Sequence, residues 1–442
     1  MLWEIMDGFF DKDDVATATT QPRMAQCGAC KLNKGCTTPR MPYTGQGKLG
    51  VLIVAEAPGQ QEDATGTQLV GQAGQRLRTI LAGLDVDLDR DCWKTNAIIC
   101  RPPKNREPTE KEIVCCRPNL LKVIAKTKPK VIITLGASAL NAVIGDRWEG
   151  DIGSVARWRG QNIPDRHFGA WVCPTYHPSY LLRYHAGDVC NRIFEQDLDK
   201  ALDKTEEPFP KWADETEVVR ITRDPAKVHT FLDRILEAPM PMALAYDWET
   251  TGLKPQAKGH KIATVGFSHG PNHGAAFPMR VEYLPKMVEI FTHPQIYKIA
   301  HGAKFEEMWT RAKCKCRVTP WGWCTQLGSH VCDNRKGKVN DLKFQSYVHF
   351  GLMGYEREIK PFLEGYTIPE ELLAPVRDND ILMTAMDSPG KCANALNNIF
   401  KAPLRKLLTY NAIDAMCTFR HAMVQAKQLG VPPWLQPYMV TD

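Results

Sequence analysis

The sequence predicts an α/β protein of two successive domains, the first built on a mainly parallel sheet. Its 442 residues, 43 % of them hydrophobic, exceed what one ordinary core organises. Short apolar runs recur at Val51–Val54 and Val131–Leu135, with a weaker one at Trp171–Val172, and helical patterns fall between them. A charged, proline-punctuated stretch around Glu206–Lys211 is followed by a second set of strand signals at Val218–Ile221 and Ala243–Glu249. The expected division is a lead-in over residues 1–25, a first domain over 26–202, a linker over 203–217 and a second domain over 218–442.

A net charge of +6 and a pI near 8.5 permit a nucleic-acid partner without requiring one. No apolar run is long enough to span a membrane, and the N-terminus lacks the pattern of a signal peptide, so the expected compartment is the cytoplasm. In such a chain the fifteen cysteines read as metal ligands or buried thiols, not disulfides.

Within the first domain the run Val51-Leu-Ile-Val-Ala-Glu-Ala-Pro-Gly59 organises its surroundings. Four apolar residues make a buried strand, and the Pro-Gly stop delivers Glu56 to the crevice where strands of open α/β sheets end. The glycines Gly66, Gly71 and Gly74 let backbone approach a ligand, and Gln75–Leu84 reads as a helix with its N-terminus toward that crevice. Cys27-Gly-Ala-Cys30 has the short bite of a metal-binding turn. Further ligands are available at Cys100, after the expected strand Thr95–Ile99, and at Cys115 or Cys116. Four thiolates from separated segments suit either Zn or a 4Fe–4S cluster. Cys92, Cys173 and Cys190 read as small buried hydrophobes.

In the second domain Asp247 and Glu249 lie two apart on an expected strand, so both carboxylates share a face and suit joint metal ligation. Tyr410 and Asp414 share one face of an expected helix. Between them comes Ile299-Ala-His-Gly-Ala-Lys-Phe-Glu306. Cys314, Cys316, Cys324 and Cys332 have spacings that fit no common zinc finger, and Lys313–Val318 alternates as a strand would.

These segments carry two resemblances. Ala55–Gly59 with Glu62-Asp63 and Val70–Gly74, Thr95-Asn96, Cys100–Pro103, Cys116-Arg-Pro118, Leu135-Gly136 and Pro174–Arg183, in that order, resemble the family 4 iron–sulfur uracil-DNA glycosylases. The resemblance implies a structural 4Fe–4S cluster on Cys27, Cys30, Cys100 and Cys116, and a pocket that cleaves the N-glycosidic bond of a flipped nucleotide. It implies that Asn96 reads the polar edge of uracil and that His177 donates to the oxygen where charge develops. Glu56, Glu62 and Asp63 would line the pocket or place the attacking water. Pro178–Arg183 would enter the duplex, with Arg183 on DNA. The family has a stacking phenylalanine where this chain has Leu69, which packs without a flat π-face, and glycine where it has Ala55.

The second set resembles the tyrosine-containing branch of the DEDD 3′–5′ exonucleases. This implies a ribonuclease-H-like fold with two Mg²⁺ or Mn²⁺ ions on Asp247, Glu249, Glu306 and Asp414, and Tyr410 orienting the water. The family's His-Asn-x-x-Phe-Asp appears here as His301-Gly-Ala-Lys-Phe-Glu306. Together the two halves resemble the front of certain bacteriophage family A DNA polymerases, with the host cytoplasm as the compartment if the chain is phage-encoded. The expected function is uracil excision joined to 3′–5′ hydrolysis of DNA, single-stranded and duplex, beside a separate polymerase. The alternative is an exonuclease subunit whose first domain is a non-catalytic DNA tether.

Overall fold

The computed structural model describes residues 24–183, 188–335, 337–363, 386–388, 391–392 and 396–430. The expected lead-in before residue 24 lies outside them. Two sheets organise the chain. The first has the order β2-β1-β3-β5-β4, from β1 (Val51–Ala55), β2 (Cys92–Asn96), β3 (Val131–Leu135), β4 (Ile163–Asp165) and β5 (Ala170–Thr175). Four of these strands are parallel and β4 runs antiparallel along one edge. Every residue of β1 and β3 is buried, as expected for strands covered on both faces. Helices α1 (Gln60–Thr65), α2 (Gln72–Gly83), α3 (Glu110–Thr127), α4 (Ala137–Ile144), α5 (Pro178–Arg183) and α6 (Asp188–Asp203) fill the crossovers.

The second sheet has the order β11-β10-β7-β8-β9-β6, from β6 (Val219–Ile221), β7 (Met242–Thr250), β8 (Ile262–Gly270), β9 (His273–Pro278), β10 (Ile296–Ala300) and β11 (Trp321–Cys324). It is mixed: β7, β8 and β9 pair antiparallel, and β10 joins β7 parallel. Helices α7 (Pro225–Leu236), α8 (Leu284–Thr292), α9 (Ala303–Cys314), α10 (Thr325–Cys332), α11 (Leu342–Phe350) and the 26-residue α12 (Leu404–Leu429) pack around it. Helix α12 presses so closely on β8 that a Cβ on Gly266 would lie 2.4 Å from the Asn411 carbonyl oxygen. Only glycine fits there.

Two expectations need correction. The strand expected at Thr95–Ile99 is Cys92–Asn96. The Ala97 amide still donates to the Ala55 carbonyl (2.8 Å), which completes the parallel ladder with β1, and the strand ends there. The alternation of Lys313–Val318 is not a strand: α9 runs through Cys314 and stops at Lys315, which takes the left-handed conformation (φ 62°) of a helix terminus. The stretch over 203–217 packs closely on its surroundings. Phe209 meets Trp171 at 5.8 Å, the Arg166 guanidinium lies 4.6 Å from the Trp212 ring, and Glu215 is 4 % exposed.

Glu215 belongs to a continuous junction between the two sheets' layers. Its carboxylate takes both guanidinium nitrogens of Arg166 (2.8 and 2.9 Å) and one of Arg420 (2.6 Å). Burial pushes this carboxyl up, but the bonds to Arg166 and Arg420 outweigh it and hold it below the usual glutamate range. Helix α11 covers the β4 edge that the first sheet leaves open. Its Phe344 packs edge-on to Trp158 (4.9 Å), and the Tyr347 hydroxyl donates to the fully buried Asp165 (2.7 Å). Gly351, which ends α11 at φ 63°, abuts the Pro164 carbonyl, where a Cβ would sit 2.0 Å away.

Candidate active sites

In the first sheet, parallel order places four residues side by side at the carboxyl ends of neighbouring strands. Asn96 closes β2, Glu56 follows β1, Ser138 lies just past β3, and His177 lies just past β5. That edge is where open α/β sheets bind ligands. Asn96 is 2 % exposed, and its Nδ2 has no hydrogen-bond partner among the described residues. A buried amide donor without a partner costs roughly 1–3 kcal/mol, so the site is arranged for an acceptor from outside. The Glu56 carboxylate accepts the Ser138 hydroxyl at 3.0 Å.

The tautomer of His177 follows from its neighbours. The Ser179 amide donates to Nδ1 (3.2 Å), and the Ser179 hydroxyl lies 2.8 Å from the same atom. Because an amide can only donate, Nδ1 is the acceptor and the proton of the neutral ring sits on Nε2. Gly136, at φ 90°, lies under the ring's root, with its Cβ position 3.3 Å from that of His177.

Glu62 and Asp63 have different employment from the one expected. Glu62 accepts the amides of Val70 (3.0 Å), Gly71 (2.7 Å) and Gly59 (3.1 Å), tying both ends of α1 to the glycine loop. Asp63 accepts the amides of Thr37 (3.0 Å) and Thr38 (2.8 Å). Burial pushes its carboxyl up, but those amides, with Arg101 nearby, hold it below the ordinary aspartate range. Both carboxylates are loop anchors. Leu69 takes the left-handed conformation (φ 55°) and joins the hydrophobic cluster of Leu77 and Ile80. Gly74 makes this bend possible, since a Cβ there would lie 2.0 Å from the Leu69 carbonyl oxygen. Arg183 ends α5, and its side chain lies outside the described residues.

Cys27, Cys30, Cys100 and Cys116 line one concavity of about 320 Å³, counted with the space open to solvent. The Cys100 sulfur accepts the Arg40 amide (3.2 Å) and the Cys116 sulfur accepts Asn119 Nδ2 (3.6 Å), while the Cys115 thiol is engaged with Gln26 (3.9 Å). Among the described residues no three of these sulfurs lie within 4.8 Å of one another. A single tetrahedral Zn with bonds of about 2.3 Å would hold them about 3.8 Å apart. Glu112, on the same wall, caps α3 and binds Arg106 through both oxygens (2.6 and 2.9 Å), which brings its carboxyl down to about 2.

In the second sheet Asp247, Glu249 and Asp414 bring ligand oxygens within 4.8 Å of one another. Strand β7 supplies the first two on one face, and α12, crossing the sheet, supplies the third. Even with the Lys343 ammonium close by, such a group resists ionising: burial first, then the Asp414 charge, pushes Asp247 up to about 8. Glu249 and Glu306 rise for the same reasons, burial first and neighbouring carboxylates second. Glu306 lies beside the triad, and its carboxylate accepts the Trp248 amide (3.2 Å). Tyr410 is buried on α12, one turn before Asp414.

Sequence reasoning missed several supporting residues. Asn411 donates to the Asp247 carboxylate (2.8 Å) and accepts from Thr264 (2.9 Å), fixing the strand acid from the helix. Its place inside the Tyr410–Asp414 segment was the available signal. Lys343 and Tyr355 both donate to Asp414 Oδ1, the tyrosine at 2.6 Å. Neither had a sequence signal that sets it apart from an ordinary surface residue.

Comparison with known proteins divides the chain in the same way. Residues 42–204 match the uracil DNA glycosylase superfamily, and residues 219–351 match a 3′–5′ exonuclease family. The chain is 38 % identical over 181 residues to a type-4 uracil-DNA glycosylase of Thermotoga maritima, covering 89 % of that protein and 40 % of this one. It is 25 % identical over 355 residues to a DNA polymerase of Bacillus phage SP01, covering 71 % of this chain and 36 % of the polymerase. Among solved structures, Brucella melitensis NrnC aligns with a TM-score of 0.28 at 16 % identity, over 45 % of this chain and 78 % of that one.

Proposed function

We propose, on the premise that this chain belongs through its first half to the type-4 uracil-DNA glycosylases and carries a 3′–5′ exonuclease domain behind it, that Asn96 and His177 form the base pocket and Asp247, Glu249 and Asp414 the nuclease centre of one DNA-processing enzyme. The observation that carries the first assignment is the unpartnered Nδ2 of buried Asn96. A uracil carbonyl would satisfy that donor, whereas cytosine would present an amino group to it. Glycosidic cleavage leaves negative charge on the departing base, and a neutral His177 with its proton on Nε2 donates to the oxygen where that charge gathers. Glu56, held by Ser138, faces the positive charge that develops on the sugar.

The nuclease centre fits two hard divalent ions, because its donors are carboxylate oxygens brought together by strand and helix. Mg²⁺ or Mn²⁺ bound there would stabilise the attacking and leaving oxygens of a phosphodiester. Asn411 orients Asp247, and Tyr410 would orient the attacking water. Glu306 supports the centre from beside the triad. The likeness to a phage DNA polymerase supports a setting in DNA replication or repair, with DNA as the substrate of both halves.

The concavity gathers Cys27, Cys30, Cys100 and Cys116, the set that the family 4 resemblance gives to a 4Fe–4S cluster. The cluster would pin the loops that carry Arg40 and Cys100 near the base pocket. Anaerobically purified protein is expected to be brown, with broad absorbance near 400 nm and about four irons per chain. A colourless protein with stoichiometric zinc would overturn the assignment.

One assay tests both activities. A 5′-labelled single strand with one uracil is incubated in EDTA or in Mg²⁺ and then treated with alkali. The expected result is a discrete alkali-dependent break in EDTA and a Mg²⁺-dependent ladder. Asn96→Ala and His177→Ala should each weaken the break by about a hundredfold or more. A ladder without the break would make the first half a DNA tether, and undiminished release by both variants would sink the pocket.

A further inference from the structure

Lys343 sits near the start of α11, where Asp341 caps the helix by accepting its first amides. Its stem carries the ammonium into the nuclease centre. The ammonium donates to Asp414 Oδ1 and to the Tyr355 hydroxyl (2.9 Å), and Tyr355 in turn donates to the same Asp414 oxygen (2.6 Å). It also lies 4.2 Å from the centre of the Tyr355 ring and 4.3 Å from that of Tyr410. One cation is thus clamped between two aromatic faces and a carboxylate. The two residues it fixes belong to the proposed centre itself: Asp414 is a ligand candidate, and Tyr410 is the residue that would orient the attacking water.

We propose that Lys343 is a positioning residue of the exonuclease, setting the Asp414 carboxylate and the Tyr410 ring in register for strand hydrolysis. The proposal rests on reading this site as the exonuclease centre. The geometry has a consequence for the carboxylate. Both donors fall on Oδ1, which fixes the orientation of the group beside Asp247 and Glu249. Four acids, Asp247, Glu249, Glu306 and Asp414, converge here, and Lys343 supplies a fixed positive charge among them that also keeps Asp414 from swinging away. Arginine at this position can keep the charge, the carboxylate contact and the ring stacking, whereas methionine keeps only the stem.

The test uses the full chain with Lys343→Met, Lys343→Arg and Tyr355→Phe. Hydrolysis of a 5′-labelled strand is measured at saturating Mg²⁺, together with Mn²⁺ affinity by electron paramagnetic resonance. Uracil release in EDTA, measured on the same samples, reports whether α11 and its neighbours are folded. The expected result for Lys343→Met is a kcat lower by roughly ten- to a hundredfold, with KM for DNA within about twofold and uracil release intact. Lys343→Arg should recover at least part of that loss, and Tyr355→Phe should show a smaller fall of the same kind. Mn²⁺ affinity should not weaken, because removing a cation from an acidic site favours another cation. A Lys343→Met protein that binds Mn²⁺ more tightly and hydrolyses at the parent rate would overturn the proposal, making the lysine a mere counter-ion. A parent chain that degrades no strand in Mg²⁺ or Mn²⁺ would overturn the exonuclease reading together with this one.

Discussion

Asp247→Asn and Asp414→Asn proteins are expected to lose Mg²⁺-dependent strand degradation by about a thousandfold, while releasing uracil in EDTA at a rate within about twofold of the parent. Asp247, Glu249 and Asp414 crowd their oxygens within 4.8 Å, at a site where burial and the Asp414 charge push Asp247 up to about 8. Without metal, the group therefore holds protons at neutral pH. A divalent ion must displace them, so its apparent affinity should rise as pH increases from 6 through 8. Asparagine at either position removes one negative ligand and lowers the mutual repulsion that ion binding relieves. Both metal affinity and the steepness of its pH dependence should fall, as seen in Mn²⁺ titrations at several pH values. A variant that keeps full nuclease activity would remove that carboxylate from the centre. Loss of both activities together would mean instead that the substitution unfolds the chain.

Much of this centre was legible in the sequence, because period-two and period-four spacing say which carboxylates share a face. Asp247 with Glu249, and Tyr410 with Asp414, are where those periods place them. The grouping of Glu56, Asn96 and His177 was legible for a similar reason: strand ends of a parallel sheet converge, so the three fall at neighbouring strand ends. Glu62 and Asp63 show what the sequence left open. An acid beside a glycine loop looks the same in sequence whether it faces ligand or backbone, and only the folded path of Gly59, Val70 and Gly71 shows that Glu62 is committed to three amides. Leu69 carried a related ambiguity. Nothing in its type announces a left-handed turn, which depends on the space left by Gly74. The junction between the two sheets was illegible altogether. Helix α11 is apolar on more than one side, and sequence gives no means of knowing that one side closes the edge of a sheet some 180 residues earlier in the chain.

That junction yields the second large expectation: Tyr347→Ala should lower the stability of both activities together. Tyr347 is fully buried, packs against Trp148 at 5.8 Å, and gives its hydroxyl proton to Asp165, itself fully buried. Truncating a buried aromatic to alanine costs about 3–5 kcal/mol through lost contacts and the cavity left behind. Asp165 would keep Arg147 (2.9 Å) but lose a charge-assisted bond, worth roughly 1.5–3 kcal/mol of its own. Tyr347→Phe isolates the second contribution, since it keeps the ring. The damage should reach the nuclease because α11 also carries Lys343, whose ammonium holds Asp414. It should reach the glycosylase half because the same helix covers β4 beside Asp165. Heat inactivation of uracil release and of strand degradation should therefore shift by the same number of degrees in Tyr347→Ala, with Tyr347→Phe shifting both by a smaller and again equal amount. Separate shifts would mean that the two halves melt independently and that the helix transmits nothing between them. Coincident shifts would make the glycosylase half a structural requirement of the exonuclease, joined to it through the helix that carries both Tyr347 and Lys343.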